Sequence, residues 1–341
     1  MKKTRILRIL ALTLSALMLL PMLLLTGCGQ GKERIIIWTS SEDYRMADLQ
    51  QRLNEKFPEY DILVEYKGTG ENAPKLLAEG PEATEADIIH NVEYAYLLQL
   101  IAKDYLADVS DYDRSVYVDE AFPVEATTYM PQERSGGAII INTERLSELG
   151  LPVPESYQDL LREEYKGHIT MPSPKKSGTG YMFVKSLVNA WGDESAFSYF
   201  GELSENVLHF TSGSGVVGDL INKEAAIGLG MTAQAVEKIG EGHPLEVKFF
   251  AEGSPYTFYG QAIVRGKDER ACVKEVFDYL INEYTKINND NFYPEKIFAS
   301  GAAIKEGFPA DIDYSDMSGN TYEEKERILK LWDDAGFDLG E

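Results

Sequence analysis

Apolar positions between residues 34 and 101 fall into short continuous runs that alternate with stripes of helical spacing. The runs have the length of buried strands, and a stripe such as Met46, Leu49, Leu53 and Phe57 predicts an amphipathic helix. The predicted elements are strands at 34–38, 61–66 and 86–89, with helices at 42–56, around Pro74 and at 94–101. Because strands and helices alternate, we predict a parallel sheet with right-handed crossovers.

Residues 138–265 repeat this style without repeating the sequence. The predicted strands are 138–142, 168–171, 207–210, 225–229, 245–250 and 261–265, and the predicted helices are 143–149, 155–161 and 181–191. A last amphipathic helix is predicted at 323–332. The pattern therefore indicates an α/β protein with mostly parallel sheets.

Small polar residues and glycines follow most of the predicted strands, where open parallel sheets bind ligands. These loops also begin helices, whose free N–H groups hold anions, although helix capping explains any single loop equally well. We predict a cleft lined from both halves of the chain. Its candidate residues are Thr39, Ser40, Ser41, Gly68, Thr69, Gly70, Asn91, Ser177, Gly178, Thr179, Ser214, Gly215, Met231 and Thr232.

The most specific of these loops is 177–180, in which two hydroxyl residues alternate with two glycines before a long apolar helix. Glycine lets a ligand approach the backbone, and the helix supplies a positive dipole end. Lys175 and Lys176 precede the loop, either as partners of an anion or as solvated side chains. Among the four histidines, only His90 lies at a strand end and is a site candidate.

The N-terminus predicts export. Residues 1–8 are basic, residues 9–25 are apolar, and Leu25-Thr26-Gly27-Cys28 follows. This order is typical of a secretory signal peptide, and Pro21 interrupts a core that is short for a membrane-spanning anchor. The last four residues are similar to a bacterial lipobox, which predicts lipidation of Cys28 after cleavage. The other cysteine, Cys272, lies among helix-spaced apolar residues and is expected to be buried.

The net charge of the chain argues against polyanionic partners. The chain has 33 Lys and Arg against 56 Asp and Glu, for a net charge of −23. The first 27 residues hold four of these bases and no acid, so the remainder has 29 bases against 56 acids, or −27. Such an acidic body repels nucleic acid and anionic lipid. It also favours a cationic or neutral solute over an anionic one, although salt screens charges beyond about 8–10 Å.

Motifs of catalysis are absent from the sequence. We find no G-x-S-x-G, Walker A, H-E-x-x-H or C-x-x-C string, and the histidines fall at no metal-binding spacing. We therefore predict no catalytic residue, no resident metal and no cofactor. A binding protein is expected; an exported hydrolase and a purely structural or adhesive lipoprotein are the alternatives.

The order of several short motifs resembles a known family. These motifs are the lipobox, 66–70, 86–89, 138–142, 151–154, 165–169, 172–181, 225–229 and 252–256. Over about residues 34–310 the chain resembles the family 1 extracellular solute-binding proteins of ABC importers, in the branch that contains ferric-iron, phosphonate and sugar-phosphate binders. The resemblance implies a two-lobed fold of the periplasmic-binding-protein type, each lobe a mostly parallel sheet flanked by helices, with the ligand cleft between the lobes.

That resemblance also implies a domain plan. It comprises a signal peptide (1–27), a lipid-anchored tether (28–33), lobe one (34–133 plus 262–341, with the C-terminal helices) and lobe two (134–261). A monomer is expected on the outer face of the cytoplasmic membrane or facing the periplasm, touching the membrane only through its lipid and delivering a small molecule to an importer permease.

The identity of the solute depends on one departure from the family pattern. Ferric-iron binders of this branch carry adjacent tyrosines after the strand that here is 225–229, where this sequence has Met231 and Thr232. Tyr256 and Tyr259 are nearby candidate ligands but are not adjacent. Because Met and Thr are poor ligands for a hard trivalent ion, a phosphorylated or phosphonate-type anion is expected, and ferric iron or a cationic solute is the alternative.

Overall fold

The computed structural model describes residues 31–122, 126–300, 305–309 and 311–337. The predicted signal peptide and Cys28 lie outside these residues. None of the described helices has the length and apolar character that a bilayer crossing requires.

Strands appear where short apolar runs were predicted, with two extended well beyond prediction. They are β1 Arg34–Thr39, β2 Asp61–Tyr66, β3 Ile88–Glu93, β4 Met130–Asn142, β5 Ile169–Pro172, β6 Val207–Thr211, β7 Ile227–Met231, β8 Leu245–Lys248 and β9 Tyr256–Ile263. The unexpected parts are the first eight residues of β4 and the first five of β9.

Helices lie between the strands. They are α1 Asp43–Lys56, α2 Thr69–Glu79, α3 Tyr94–Ala102, α4 Thr143–Leu149, α5 Gly178–Trp191, α6 Asp193–Ser204, α7 Gly215–Ile221, α8 Thr232–Gly240, α9 Ala271–Tyr279, α10 Thr285–Asn291 and α11 Tyr322–Ala335. A π-helical turn, Leu280–Tyr284, joins α9 to α10. Cys272 on α9 is a buried free cysteine, as predicted.

The helix predicted at 155–161 is wrong, since the chain forms short 3-10 turns there, Gln158–Leu161 and Glu163–Tyr165. Two side chains bond the backbone locally: Ser156 Oγ accepts from Asp159 N at 3.1 Å, and Asp159 Oδ2 accepts from Glu155 N at 2.9 Å. Such bonds compete with the i to i−4 pattern of an α-helix.

The strands follow the order β2-β1-β3-β9-β4-β7-β5-β6, with β8 also paired to β4. At one end β1, β2 and β3 are parallel, and at the other β5, β6 and β7 are parallel. The central strands β4 and β9 run antiparallel to their neighbours. Two parallel sheets, each flanked by helices, are thus joined through antiparallel central strands.

Strand β4 passes from one sheet to the other at Gly136–Gly137. Residues before this point pair with β9, and residues after it pair with β7 and β8. A Cβ on Gly136 would lie 2.6 Å from a carboxylate oxygen of Glu295, and one on Gly137 would lie 2.8 Å from the ring of Phe183. A larger residue at either position would therefore require buried side chains to move.

Each sheet has its own hydrophobic core. The first lobe, formed by β1–β3, β9 and the start of β4, packs against α1–α3 and α9, whereas the second lobe, formed by the rest of β4 and β5–β8, packs against α5 and α6. Residues 256–261 were expected in lobe two, but they belong to β9 and pair in the first sheet.

The C-terminal helix also differs from expectation. It was assigned to lobe one, yet Ile328 and Trp332 of α11 are fully buried in the second core. The Trp332 ring packs edge-on against Phe200 at a centroid distance of 5.4 Å, which is a favourable aromatic geometry. The domain plan implied by the resemblance had placed all of 262–341 in lobe one.

Residues 313–335, which we call the C-terminal strap, contact both lobes. Ser254 N donates to Asp313 O at 2.7 Å beside the second crossing, where the chain returns from β8 of the second lobe to β9 of the first. Lys325 Nζ lies 2.7 Å from Glu93 Oε2 in the first lobe, and Lys185 Nζ of the second lobe lies 3.1 Å from Glu324 Oε1. The strap therefore connects the two lobes independently of β4 and β9.

Candidate functional site

A cavity of about 660 Å³ opens between the lobes at the carboxyl ends of the parallel strands. It brings together ten of the predicted site residues, five from each lobe. They are Ser40, Gly68, Gly70, Asn91, Tyr259, Ser177, Gly178, Thr179, Ser214 and Met231. The strand-end rule therefore located the cavity from both sides.

Five predicted residues do not line this cavity. Thr39 and Ser41 are buried below it and hydrogen-bonded to each other, with 3.0 Å between their hydroxyl oxygens. Thr232 is completely buried, and Gly215 packs onto the side chain of Thr211. Tyr256 lines a separate cavity. The remaining predicted residue, Thr69, begins α2.

The wall from the first lobe centres on Asn91. Its φ is +55°, a left-handed conformation that asparagine tolerates better than most residues. Gln132 Oε1 accepts from its backbone N–H at 2.7 Å, and Ser40 Oγ donates to its Oδ1 at 3.0 Å. Its Nδ2 is buried and has no partner among the described residues. Asn91, which lines the cavity, thus holds an amide donor without a partner.

The wall from the second lobe centres on the start of α5. Ser177 caps this helix, since its Oγ accepts from Thr179 N at 3.1 Å and from Gly180 N at 3.4 Å. Two of the N–H groups expected to face a ligand are therefore already bonded, as the capping interpretation predicts. The N–H of Gly178 has no hydrogen-bond partner in the described part of the chain.

Two glycines allow neighbouring loops to meet at this wall. A Cβ on Gly180 would lie 2.4 Å from Pro172 O, and a Cβ on Gly213 would lie 2.7 Å from Ser177 Oγ. The loop 212–215 consequently lies directly beside the helix start. Its Ser212, Gly213 and Ser214 line the cavity as well.

Between the walls lies a buried charge cluster that sequence reasoning missed. The Arg45 guanidinium pairs with Glu133 on β4 and with Glu42, whose Oε2 is 2.6 Å from Arg45 Nε. It also stacks 4.4 Å from the centre of the Tyr293 ring. Burial alone would raise the pKa of Glu42, but the charge of Arg45 and the hydrogen bonds that the carboxylate accepts together outweigh burial, and the pKa is lowered. The carboxylate therefore stays ionised.

Glu42 also receives a contact from the opposite lobe. Gln234 on α8 donates from Nε2 to Glu42 Oε1 at 3.2 Å, and the same oxygen accepts from Tyr293 Oη at 2.8 Å. Arg45, Glu133 and Tyr293 carry no local motif, because they come from distant parts of the chain. No sequence signal marks them, since Arg45 and Glu133 lie in polar stretches and Tyr293 follows the end of α10.

The tyrosines of the site differ from the expected pair. Tyr259 lines the cavity together with Tyr44, Tyr66 and Tyr293, whereas Tyr256 does not. Burial raises the pKa of Tyr259, so its phenol remains protonated at neutral pH. The expected Tyr256–Tyr259 ligand pair is therefore wrong, since only one of its members faces the cavity.

His90 is buried beneath the cleft rather than exposed in it. Its Nδ1 lies 3.0 Å from Thr39 Oγ1. Burial, and secondarily the positive charge of Arg45, lowers the pKa of His90 to about 3, so the ring is neutral at physiological pH. We assign it a structural position under the strand ends.

The two predicted lysines lie in different places. Lys176 lines the cavity, whereas Lys175 forms an ion pair with Asp333, 2.6 Å away, on the strap. The cavity wall carries three bases, Lys176, Lys238 and Arg45. It also carries four acids: Glu42, Asp43, Glu133 and Glu237. Formal charge alone therefore does not make this cavity an anion trap, and any selectivity for anions depends on oriented hydroxyl and amide donors.

Comparison with known proteins connects this geometry to a family. A family model described as bacterial extracellular solute-binding protein matches residues 86–311. The matched segment contains both crossings between the lobes and most of the cavity wall.

Solved structures share the architecture. The periplasmic binding protein P5PA matches with a TM-score of 0.79 and 21% identity, over 89% of this chain and 99% of that one. AfuA from Actinobacillus pleuropneumoniae, with exogenous fructose-6-phosphate bound, matches at 0.75 and 22%, over 89% and 98%. Iron-bound HitA from Pseudomonas aeruginosa matches at 0.76 and 16%, over 89% and 99%. These likenesses confirm the predicted two-lobed α/β fold with a cleft between the lobes.

Proposed function

The chain belongs to the bacterial extracellular solute-binding protein family, and from this premise we propose that its solute is a phosphorylated or phosphonate-type organic anion. Its class is that of solute-binding proteins of ABC importers, which are exported and pass a small molecule to a membrane permease. The observation that carries the ligand proposal is the convergence of unused polar groups from both lobes on one cavity.

The donors suit an oxyanion. Asn91 Nδ2 is buried without a partner, the Gly178 N–H lies at the start of a fourteen-residue helix, and the hydroxyls of Thr179 and Ser214 line the same cavity. N–H groups at a helix start and hydroxyls are the usual ligands of phosphate oxygens. A buried donor that lacks a partner is costly, so a ligand oxygen beside Asn91 would be stabilised strongly.

The size of the cavity favours an organic ligand over a bare ion. A volume of about 660 Å³ lies within the roughly 300–1,000 Å³ of typical small-molecule sites. Tyr44 and Tyr66 line it and keep 43% and 54% of their surface exposed, which leaves apolar ring faces for a carbon skeleton. The fold likeness to AfuA, which was solved with a sugar phosphate, supports this proposal.

Ferric iron is the second candidate. The cavity also holds oxygen ligands of the kind that a hard cation prefers, in Tyr259, Tyr293 and Glu42, and the iron-bound HitA has the same fold. However, Glu42 is already paired with Arg45 and burial raises the pKa of both tyrosines. Binding iron there would require removing two phenolic protons.

A ligand panel distinguishes these candidates from each other and from an exported hydrolase. We expect glycerol 3-phosphate, glucose 6-phosphate or 2-aminoethylphosphonate to raise the melting temperature, because a ligand that binds only the native state stabilises it. Ferric citrate should not raise it. Steady release of inorganic phosphate during incubation would contradict the binding-protein assignment, and stabilisation by ferric citrate alone would favour iron.

Replacing Ser177 with Ala should remove a hydrogen bond from its hydroxyl to the anionic ligand. Such a bond to a charged group contributes about 1.5–3 kcal/mol, so binding should weaken roughly ten- to a hundredfold. Loss of the cap should also cost about 1 kcal/mol of stability. Isothermal titration measures the affinity, and urea unfolding measures the stability.

The matched control is Ser156→Ala. Ser156 caps a turn outside the cavity, where its Oγ accepts from Asp159 N at 3.1 Å. It should lose similar stability and no affinity. As a second variant, Gly178→Val would place its side chain against Tyr259 Oη, which is 3.0 Å from the Cβ position. Unchanged affinity in both Ser177→Ala and Gly178→Val would refute the oxyanion site.

We also propose that the protein is anchored through lipidated Cys28 in the motif Leu25-Thr26-Gly27-Cys28. In cells, Cys28→Ala should accumulate as an unprocessed precursor without a fatty-acyl label, because the thiol is the group that accepts the lipid. Cys272→Ala is the matched control and should be processed and labelled normally. Normal acylation of Cys28→Ala would show that the signal has another type.

A further inference from the structure

Three side chains that could hold a metal ion meet outside the cleft. His209 lies on β6, Asp219 on α7, and Glu224 in the turn that follows α7. One ligand atom from each lies within 4.8 Å of the other two. His209 Nε2 and Asp219 Oδ2 are 2.9 Å apart. These residues come from three successive pieces of the second lobe.

The electrostatics of this group are unbalanced. Two carboxylates lie close together, and within the described residues neither forms an ion pair with a lysine or an arginine. Like charges at this distance repel, and the whole chain carries a net charge of −23. Thr170 Oγ1 donates to Asp219 Oδ2 at 2.6 Å and so orients that carboxylate from the neighbouring strand β5. A bound cation would neutralise the two acids.

We propose that His209, Asp219 and Glu224 form a site for a divalent transition metal of the Zn²⁺ type. Imidazole nitrogen and carboxylate oxygen are both ligands that zinc takes in proteins, and water in the fourth position would complete a tetrahedral site. Imidazole favours such metals over Ca²⁺ and Mg²⁺, which prefer oxygen ligands alone. Thr170 is then a positioning residue, which holds a ligating carboxylate by a second hydrogen bond.

The site is accessible and adjoins the cleft. The His209 side chain is 39% exposed and Glu224 is exposed, so an ion can enter from solvent. His209 and Asp219 flank the segment 210–218, in which residues 212–214 line the cavity. A metal bound to both would hold β6 against α7 and restrain the loop between them. The proposed metal site is nevertheless separate from the solute site, and neither needs the other to bind.

The test is titration of ZnCl₂ into tag-free, chelator-treated protein. We expect one saturable site, with affinity at least tenfold weaker in His209→Ala and in Glu224→Gln. The matched control is His243→Ala, because His243 Nε2 lies 3.9 Å from one exposed carboxylate, that of Glu241. That variant should bind zinc as the wild type does.

Amide hydrogen exchange is a second measurement, which tests whether zinc restrains the segment 210–218. Zinc should slow exchange across 210–218 in the wild type and not in Glu224→Gln, whose exposed side chain is not needed for folding. No saturable binding, or equal affinity in the wild type, His209→Ala and Glu224→Gln, would overturn the proposal. The second result would place any bound zinc elsewhere, for example on the carboxylates of the cleft.

Discussion

Replacing Lys325 with Met should lower the free energy of unfolding by about 3–5 kcal/mol, the usual cost of leaving one member of a buried ion pair alone. Lys325 Nζ lies 2.7 Å from Glu93 Oε2, with 4% and 1% of the two side chains exposed. The ammonium also lies 4.4 Å from the centre of the Tyr96 ring and 4.6 Å from that of Tyr181. Urea unfolding measures the loss.

Lys330→Met is the matched control on the same helix. Lys330 pairs with Asp334 one turn away and is 74% exposed, so its removal should cost less than about 0.5 kcal/mol. Adding Glu93→Gln to Lys325→Met should recover part of the loss, because no unpaired charge then remains. A loss below 1 kcal/mol for Lys325→Met alone would mean that water reaches Glu93.

Glu295→Gln should remove a pH dependence of stability from the wild type. Burial raises the pKa of Glu295 to about 7, against the lowering effects of hydrogen bonds from Tyr314 Oη and Gly136 N. Between pH 4.5 and 7 the native carboxyl keeps a proton that the unfolded chain releases. The unfolding free energy of the wild type therefore falls as pH rises through this range, by roughly 3 kcal/mol over about 2.5 pH units.

The variant stays neutral throughout and should lack this fall. The measurement is the difference in unfolding free energy between wild type and Glu295→Gln from pH 4.5 to 8. Taking the difference removes the contribution of His90, which has the opposite sign. Because burial lowers the pKa of His90 to about 3, this residue reduces the unfolding free energy as pH falls below 6.5. Exposed Glu283→Gln should follow the wild-type profile. A constant difference across the range would show that Glu295 is ionised in the native protein.

Local pattern predicted the parallel strands but not the full crossing strands. The segment 130–136 contains Gln132, Glu133 and Arg134, and no strand was predicted there because these polar residues interrupt any apolar run. In the structure all three are buried in β4. Glu133 is paired with Arg45, and Arg134 stacks 4.6–4.9 Å from the ring centres of Tyr256, Phe258 and Tyr314. Partners that distant in sequence leave no periodic signal.

The candidate site was likewise predicted only in part. Loops at strand ends could be predicted because strand direction alone places them at one edge of the sheet. The pairing of Tyr256 with Tyr259 failed because the strand was placed at 261–265 rather than at Tyr256–Ile263. Successive side chains of a strand point to opposite faces, so two residues three apart cannot share one. A correct strand boundary would have excluded Tyr256 from the cleft.

The first lobe is built from two segments that are distant in sequence, and this determines when it can form during synthesis and export. Ile88 of β3 pairs with Ile263 of β9, so an N-terminus-first chain must deliver most of its length before that sheet is complete. The second sheet draws all its strands from 137–248, and contacts closer in sequence form faster. We therefore expect the strands of the second sheet to pair first, and the core of that lobe to be completed last, when α11 supplies Ile328 and Trp332. The chain would then stay unfolded and translocation-competent at its leading end until β9 emerges.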